Sequence, residues 1–304
     1  MADRNALTPE HVQRSLVALS RAHELSVTDG HWGAAALAAY FLVEEVEPPS
    51  EVRAAIALQV EHLFEAFGEL FRNNGSSPRV EDPARTIVDE IDQGDGGLHS
   101  LGHNVIFPTL AIQAMARFPD FATEEIVGGV VELVRQSNGS PAGGPFFGWE
   151  GAEVDQLDVE SDRTFSSESD DRNLAIQALD LVTETPVYKG GHAGVVGHVL
   201  THADALIELR NMGFGELAKR CTRGLRIHMK VVERRFDPGE HDLKPRTGSP
   251  DPPLSLRYWQ SDLGSRSRWA YGHYFKYPLS FYRLARRAAV PELSDYEPRF
   301  RRLM

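Results

Sequence analysis

The segment HWGAAALAAYFLVEEV, residues 31–46, constrains the fold most, because a helix of this composition is apolar on nearly every side. Such a helix is stable only when other elements surround it. The segments at 97–118 and 190–213 are similarly apolar. The segments at 48–71 and 214–235 are amphipathic and predict helices with one solvent-exposed face. The alternation typical of strands is scarce. The sequence therefore predicts an all-α protein.

Buried and amphipathic helices alternate along the chain, as they would in two concentric rings. We therefore predict an α/α toroid or barrel of roughly nine to eleven helices, with an irregular helical bundle as the alternative. The whole chain, residues 1–304, is expected to form a single helical domain with long loops at about 137–172 and 236–266. The first loop is rich in Gly, Ser and acidic residues, which makes it a candidate lid.

The composition limits which partners and which cellular compartment we expect for this protein. The formal net charge of −12 argues against a nucleic-acid partner, although basic residues cluster late, in YRLARRAAV at 282–290. The single cysteine, Cys221, excludes an intramolecular disulfide and a Cys-rich zinc site. The chain has no signal-like start and no apolar run of membrane-spanning length. We therefore expect a cytoplasmic protein without membrane contact, and its oligomeric state stays unknown.

Histidines recur beside glycine at the starts of apolar segments, in DGHWG, GGLHSLGHN, GGHAGVVGH and YGHYF. His99 and His103 are four residues apart, as are His198 and His202, and residues four apart share one face of a helix. If these helix starts meet, they would line a cavity, and the neighbouring glycines would allow close approach. The predicted catalytic set is His31, His99, His103, His192, His198, His202 and His273.

Two kinds of chemistry fit these histidines. The two pairs could supply four ligands to a divalent transition metal, since neutral imidazole suits Zn, Fe, Mn, Ni or Cu; these ligands would be His99, His103, His198 and His202. Alternatively, the rings could act as general acids and bases, because the pKa of histidine lies near neutrality. They could also be hydrogen-bonded core residues. We predict surface or loop positions, and no role, for His11, His62, His228 and His241.

Other side chains could contact a small-molecule substrate, and we predict this role for Trp32, Tyr40, Trp149, Asp204, Tyr271 and Lys276. The aromatic rings could line an apolar cavity, although core packing explains most of them better, and Trp149 could instead anchor a loop. Asp204 could orient a histidine from a neighbouring helix. Lys276 could bind a substrate anion.

The order of the histidine-bearing segments resembles the questin oxidase-like family. The likeness rests on DGHWGAAALAAYFL, GLHSLGHNVIFPTLAIQAM, GGHAGVVGHVLTHADALIEL and GHYFKYPLSFYRLA, and the last segment resembles a terminal His-x-x-Lys feature through His273 and Lys276. The intervening loops do not match. The resemblance implies an all-helical oxygenase that acts on an aromatic, polyketide-like substrate.

Three functional hypotheses follow. The leading one is an enzyme with a histidine-lined central cavity that oxygenates, eliminates from or isomerises a small organic substrate. The second is a metal-dependent hydrolase or oxidoreductase, and the third is a non-catalytic helical protein that binds a ligand or serves as a scaffold. The chain lacks the GxSxG, P-loop and GxGxxG motifs.

Overall fold

The computed structural model of the protein describes residues 6–72, 75, 77–144, 146, 149, 153–154, 156–159, 170–189, 191–234, 236–260 and 271–304. Within these residues the secondary structure is helical and includes no strand, which confirms the all-α prediction. Residues 160–169 and several others of the predicted lid lie outside the described residues, as do residues 261–266 of the second predicted loop. That second loop also contains a short helix.

The described part of the chain forms twelve α-helices. They are α1 (Pro9–Arg21), α2 (Gly30–Val46), α3 (Ser50–Ala66), α4 (Pro83–Asp92), α5 (His103–Arg117), α6 (Glu124–Asn138), α7 (Asp171–Glu184), α8 (Gly191–Asn211), α9 (Gly215–Glu233), α10 (Leu256–Gln260), α11 (His273–Ala288) and α12 (Glu297–Phe300). Short 3₁₀ turns join several of them.

The chain divides into two compact units, each assembled from three segments. Unit 1 comprises the described residues of Met1–Glu90, Phe107–Gln136 and Asp251–Leu279. Unit 2 comprises those of Ile91–Ile106, Ser137–Pro250 and Ser280–Met304. The prediction of a single domain and that of a toroid both stay predictions.

In unit 1, helix α2 packs against α1 and α3, and α10 packs against α3. Every residue from Gly30 to Leu42 is buried, as the composition of this segment predicts. The helices approach closely because Gly33 has no side chain: a Cβ there would lie 2.6 Å from the carbonyl oxygen of Ser15 in α1. The buried His31 of α2 is therefore held by a tightly packed helix pair.

In unit 2, helix α8 packs against α7 and α9. Its residues are buried from His192 to Ile207, whereas α9 alternates buried and exposed positions as an amphipathic helix does. The two predicted kinds of helix are thus confirmed in α8 and α9. None of the described helices has both the length and the apolar character that crossing a lipid bilayer requires.

Candidate metal centre and surrounding residues

Two of the four predicted metal ligands, His103 and His198, face each other within unit 2. Their Nε2 atoms lie 2.8 Å apart, and the rings meet edge to face with centroids 4.7 Å apart. Both side chains are buried, and each offers a ring nitrogen that could ligate a metal ion. The structure therefore brings together one member of each predicted pair.

A backbone contact fixes the proton of His198. Its Nδ1 lies 2.7 Å from the carbonyl oxygen of Gly194, one turn earlier in α8. Because a carbonyl only accepts, Nδ1 carries the proton, and in a neutral ring Nε2 holds the lone pair. In the absence of a metal, His103 Nε2 donates to that lone pair. A backbone carbonyl on the other ring nitrogen is the usual way in which a metal-binding histidine is oriented.

His99 precedes α5, so the prediction that His99 and His103 share a helical face is wrong. Ser100 and Leu101 have φ values of 45° and 58°, and Gly102 has a φ of 86°. This left-handed backbone breaks the helical register immediately before His103. Tertiary contacts cause this break in the helix, because left-handed residues other than glycine are uncommon and must be held in place by their surroundings.

The turn before α5 is held by a second stretch of backbone. The N–H groups of residues 100 and 101 donate to the carbonyl groups of residues 141 and 142, at 2.9 and 2.7 Å. The ring of His99 joins the same contact, with Nδ1 lying 3.0 Å from the carbonyl oxygen of Ser140. His99 therefore secures the turn that places His103.

His202 and His228 form another contact in unit 2, with ring centroids 6.2 Å apart. The predicted surface or loop position of His228 is wrong, because it is fully buried on α9 and its Nε2 lies 2.8 Å from the carbonyl oxygen of Val195. Within the described residues, neither ring nitrogen of His202 has a hydrogen-bond partner. Burial lowers the pKa of His202 to about 3 and that of His228 to about 4.

His202 also constrains the turn before α5. A Cβ at Gly102 would lie 2.6 Å from Nδ1 of His202, so only glycine fits against this ring. The remaining member of each predicted pair, which is His99 in one and His202 in the other, thus contacts the turn that leads into His103.

His192 lies in the first turn of α8. The backbone N–H of Tyr188 donates to its Nδ1 at 3.4 Å, and the rings of Tyr188 and Phe236 both lie 5.2 Å from its own. Burial lowers the pKa of His192 to about 4. The side chain is therefore a neutral imidazole at pH 7, packed between aromatic rings.

Unit 1 contains a similar pair, His31 and His273, at the starts of α2 and α11. Their Nε2 atoms lie 3.1 Å apart, and Nδ1 of His31 lies 2.9 Å from the carbonyl oxygen of Thr28. The ring of His273 stacks on Tyr277 at 4.7 Å. By the same proton assignment as for His198, His31 presents the lone pair and His273 donates.

Lys276 lies on α11, about one turn after His273, and is 1% exposed. Within the described part of the chain, its Nζ has no hydrogen-bond partner, and it lies 5.1 Å from the centre of the Phe107 ring. Burial lowers the pKa of Lys276 well below its ordinary value. Its amine is therefore a poor match for the predicted salt bridge to a substrate anion.

Two of the predicted substrate-binding residues make core contacts in unit 1. The indole of Trp32 stacks on Phe67 at 4.1 Å, and its Nε1 donates to Asp29 at 3.2 Å. The hydroxyl of Tyr271 donates to the backbone carbonyl of Gln59 at 3.0 Å. These contacts fit the core-packing alternative.

Tyr40 and Trp149 also pack against protein side chains. The Tyr40 ring meets Phe118 edge to face at 5.7 Å, and burial together with Glu44 raises the pKa of its hydroxyl. Trp149, in unit 2, is half-buried, and the guanidinium of Arg234 lies 4.3 Å from its ring centre.

Asp204 binds polar side chains of α11. Ser280 Oγ donates to its carboxylate at 2.9 Å, and Arg283 forms an ion pair with the same oxygen at 3.4 Å. All three side chains are buried. Sequence reasoning did not identify Ser280 or Arg283, although Arg283 falls within the basic cluster at 282–290.

No protein-family model matches the chain, and neither a curated protein nor a solved structure matches it. The resemblance to the questin oxidase-like family therefore stays a prediction.

Proposed function

We propose that the protein is a metal-dependent enzyme whose ion is held by His103 and His198. The observation that carries this proposal is the 2.8 Å separation of two buried Nε2 atoms, one of which presents a lone pair fixed by the Gly194 carbonyl. A cation would bind the Nε2 lone pair of His103 as well, because the proton of that ring can move to Nδ1. Both rings would then bind through Nε2.

The spacing of the two nitrogens suits adjacent positions on one ion. Transition metals bind imidazole nitrogen at about 2.0–2.1 Å, so two nitrogens 2.8 Å apart subtend an angle of about 86°. A tetrahedral ion requires about 3.3–3.4 Å between ligand atoms. Octahedral or square geometry, typical of Fe, Mn, Ni and Cu(II), would keep the rings near the separation that their hydrogen bond gives them, and zinc would require the rings to separate slightly.

The pair supports catalysis better than a purely structural role. Structural zinc sites use four protein ligands, whereas catalytic ions keep a position for water or substrate. Two imidazoles leave such positions available. The bound ion would supply Lewis-acid or redox chemistry to a small organic substrate, and its identity would distinguish a hydrolase, which zinc serves well, from an oxidoreductase, which iron or copper serves.

Metal content tests the proposal directly. Purified protein is dialysed against a mild chelator, reloaded separately with Zn²⁺, Fe²⁺, Mn²⁺, Ni²⁺ or Cu²⁺, and assayed by elemental analysis. We expect stoichiometric uptake of one of these ions, and loss of that uptake in His103→Gln and in His198→Gln. Uptake should also fall between pH 7 and pH 5, because protons compete for imidazole.

Two control variants make the result specific. His62→Gln and His241→Gln alter exposed histidines outside the predicted four-histidine set, and we expect both variants to retain the ion. Absence of uptake by the wild-type protein, or equal loss in all four variants, would overturn the assignment. In the first case, His103 and His198 would be a hydrogen-bonded core pair, as the scaffold hypothesis requires.

The pair in unit 1 deserves the same assay, because His31 and His273 repeat the contact with Nε2 atoms 3.1 Å apart. His31→Gln and His273→Gln would show whether uptake also depends on this pair. Uptake of iron or copper would support the oxygenase activity that the questin oxidase-like resemblance implies. Conversion of an aromatic, polyketide-like substrate without any ion would also support it.

A further inference from the structure

A pocket of about 340 Å³ in unit 2 lies between one face of α8 and one face of α11. From α8, the lining residues Asp204, Ile207 and Glu208 are spaced as neighbours on a helix surface. From α11, the lining consists of Arg283, Leu284, Arg286 and Arg287. The volume lies within the usual range for a small-molecule site.

The charge of the lining is unusual for this protein. The chain carries a net charge of −12, yet three arginines face two carboxylates here. Asp204 is already engaged at the base, where Ser280 Oγ and Arg283 Nη1 contact its Oδ2. Arg286 and Arg287 are exposed, and within the described residues Arg287 makes no ion pair or hydrogen bond.

We infer that this pocket binds a small anion bearing a phosphate or carboxylate group, with Arg287 and Arg286 as the ligating residues. Guanidinium groups match the geometry of both anions and bind them through paired N–H donors. Cations in the last turn of α11 also offset the helix dipole. That role requires charge alone, however, and explains neither the cavity nor the buried ion pair beneath it.

Asp204 acts as a positioning residue in this arrangement. Its ion pair with Arg283 buries both side chains, which fixes the base of the pocket and the distance between the two helices at that level. The apolar walls from Ile207 and Leu284 would contact the uncharged part of the anion. The site is independent of the proposed metal ion, because it uses different residues.

Binding of inorganic phosphate and of succinate, measured by titration calorimetry at low ionic strength, tests the inference. We expect one site per chain for at least one of the two anions, and the stronger binder identifies the phosphate or carboxylate source. Arg287→Gln should weaken that binding by about tenfold or more, the effect of losing a charged hydrogen bond. Its melting temperature should stay near that of the wild type.

The control is Arg53→Gln, which removes an exposed arginine of α3 that does not line the pocket. It should bind as the wild type does. No binding of either anion at millimolar concentration, or equal weakening by both substitutions, would overturn the inference. Metal uptake by Arg287→Gln should be unchanged, which separates this outcome from a failure of the proposed metal centre.

Discussion

Replacing Lys276 with methionine should stabilise the protein, which is the opposite of the usual effect of a core substitution. The amine is buried and has no hydrogen-bond partner among the described residues, so its charged form is poorly solvated. Methionine has a similar length and no charge to desolvate. The substitution also removes the attraction between a charged amine and the Phe107 ring, which is worth about 0.5–2 kcal/mol. This loss partly offsets the gain in stability.

The pH dependence of stability gives the magnitude. Burial lowers the pKa of Lys276, so between its native pKa and the ordinary value of 10.5 the unfolded state holds one more proton than the native state. Stability then rises with pH by about 1.4 kcal/mol per unit in that window. The wild type should therefore gain stability as the pH rises through that window, and Lys276→Met should lack this gain.

The assay is urea unfolding of both proteins at pH 7.5, 8.3 and 9. These values lie above the histidine range. The Cys221 contribution begins near pH 9, where the unfolded thiol ionises while burial keeps the native pKa at about 12, and it is common to both proteins and cancels in their difference. Lys219→Met, at an exposed position on α9, is the control and should keep the wild-type slope. A flat wild-type profile, or a Lys276→Met protein that is less stable at pH 7.5, would refute the reasoning.

Three further predictions concern unit 2. Burial lowers the pKa values of His202 and His228, so the unfolded state binds more protons than the native state below pH 6.5. As the pH decreases below 6.5, the free energy of unfolding should therefore fall by up to about 1.4 kcal/mol per pH unit for each ring. His202→Gln should reduce this slope in urea unfolding. The raised pKa of Cys221 should offset, between pH 9 and 11, the stability that Lys276 contributes, so Cys221→Ser should become more stable relative to the wild type as the pH rises through this range. Gly102→Ala should destabilise by more than about 1 kcal/mol in the same assay, because its φ is 86° and the added Cβ would meet the His202 ring.

Composition was enough to predict the environment of whole helices. The segments that became α2 and α8 are apolar around their full circumference, and both are buried along most of their length. His198 and His202 do lie on one helix, as their spacing predicts. Periodicity succeeds here because helix geometry is local and repeats every few residues.

The same periodicity failed at His99, because the left-handed residues Ser100 and Leu101 carry no mark in the sequence. Their conformation depends on backbone partners at 141–142, which a local pattern does not contain. His228 could have been placed correctly: its spacing from Leu225 and Val232 puts it on the apolar face of α9. Which histidines meet depends on packing between helices, and spacing along one helix does not determine this.

The turn before His103 also has a consequence for the order of folding. Its backbone and the His99 ring are held by a segment 41 positions further along the chain. Helix α5 is formed by local hydrogen bonds, whereas the contact with residues 140–142 carries the entropic cost of closing a long loop, so it requires the chain to be compact. The nitrogen of His103 reaches its final place only after docking. Capture of an ion by His103 and His198 would therefore follow chain collapse as a maturation step, with no part in nucleating it.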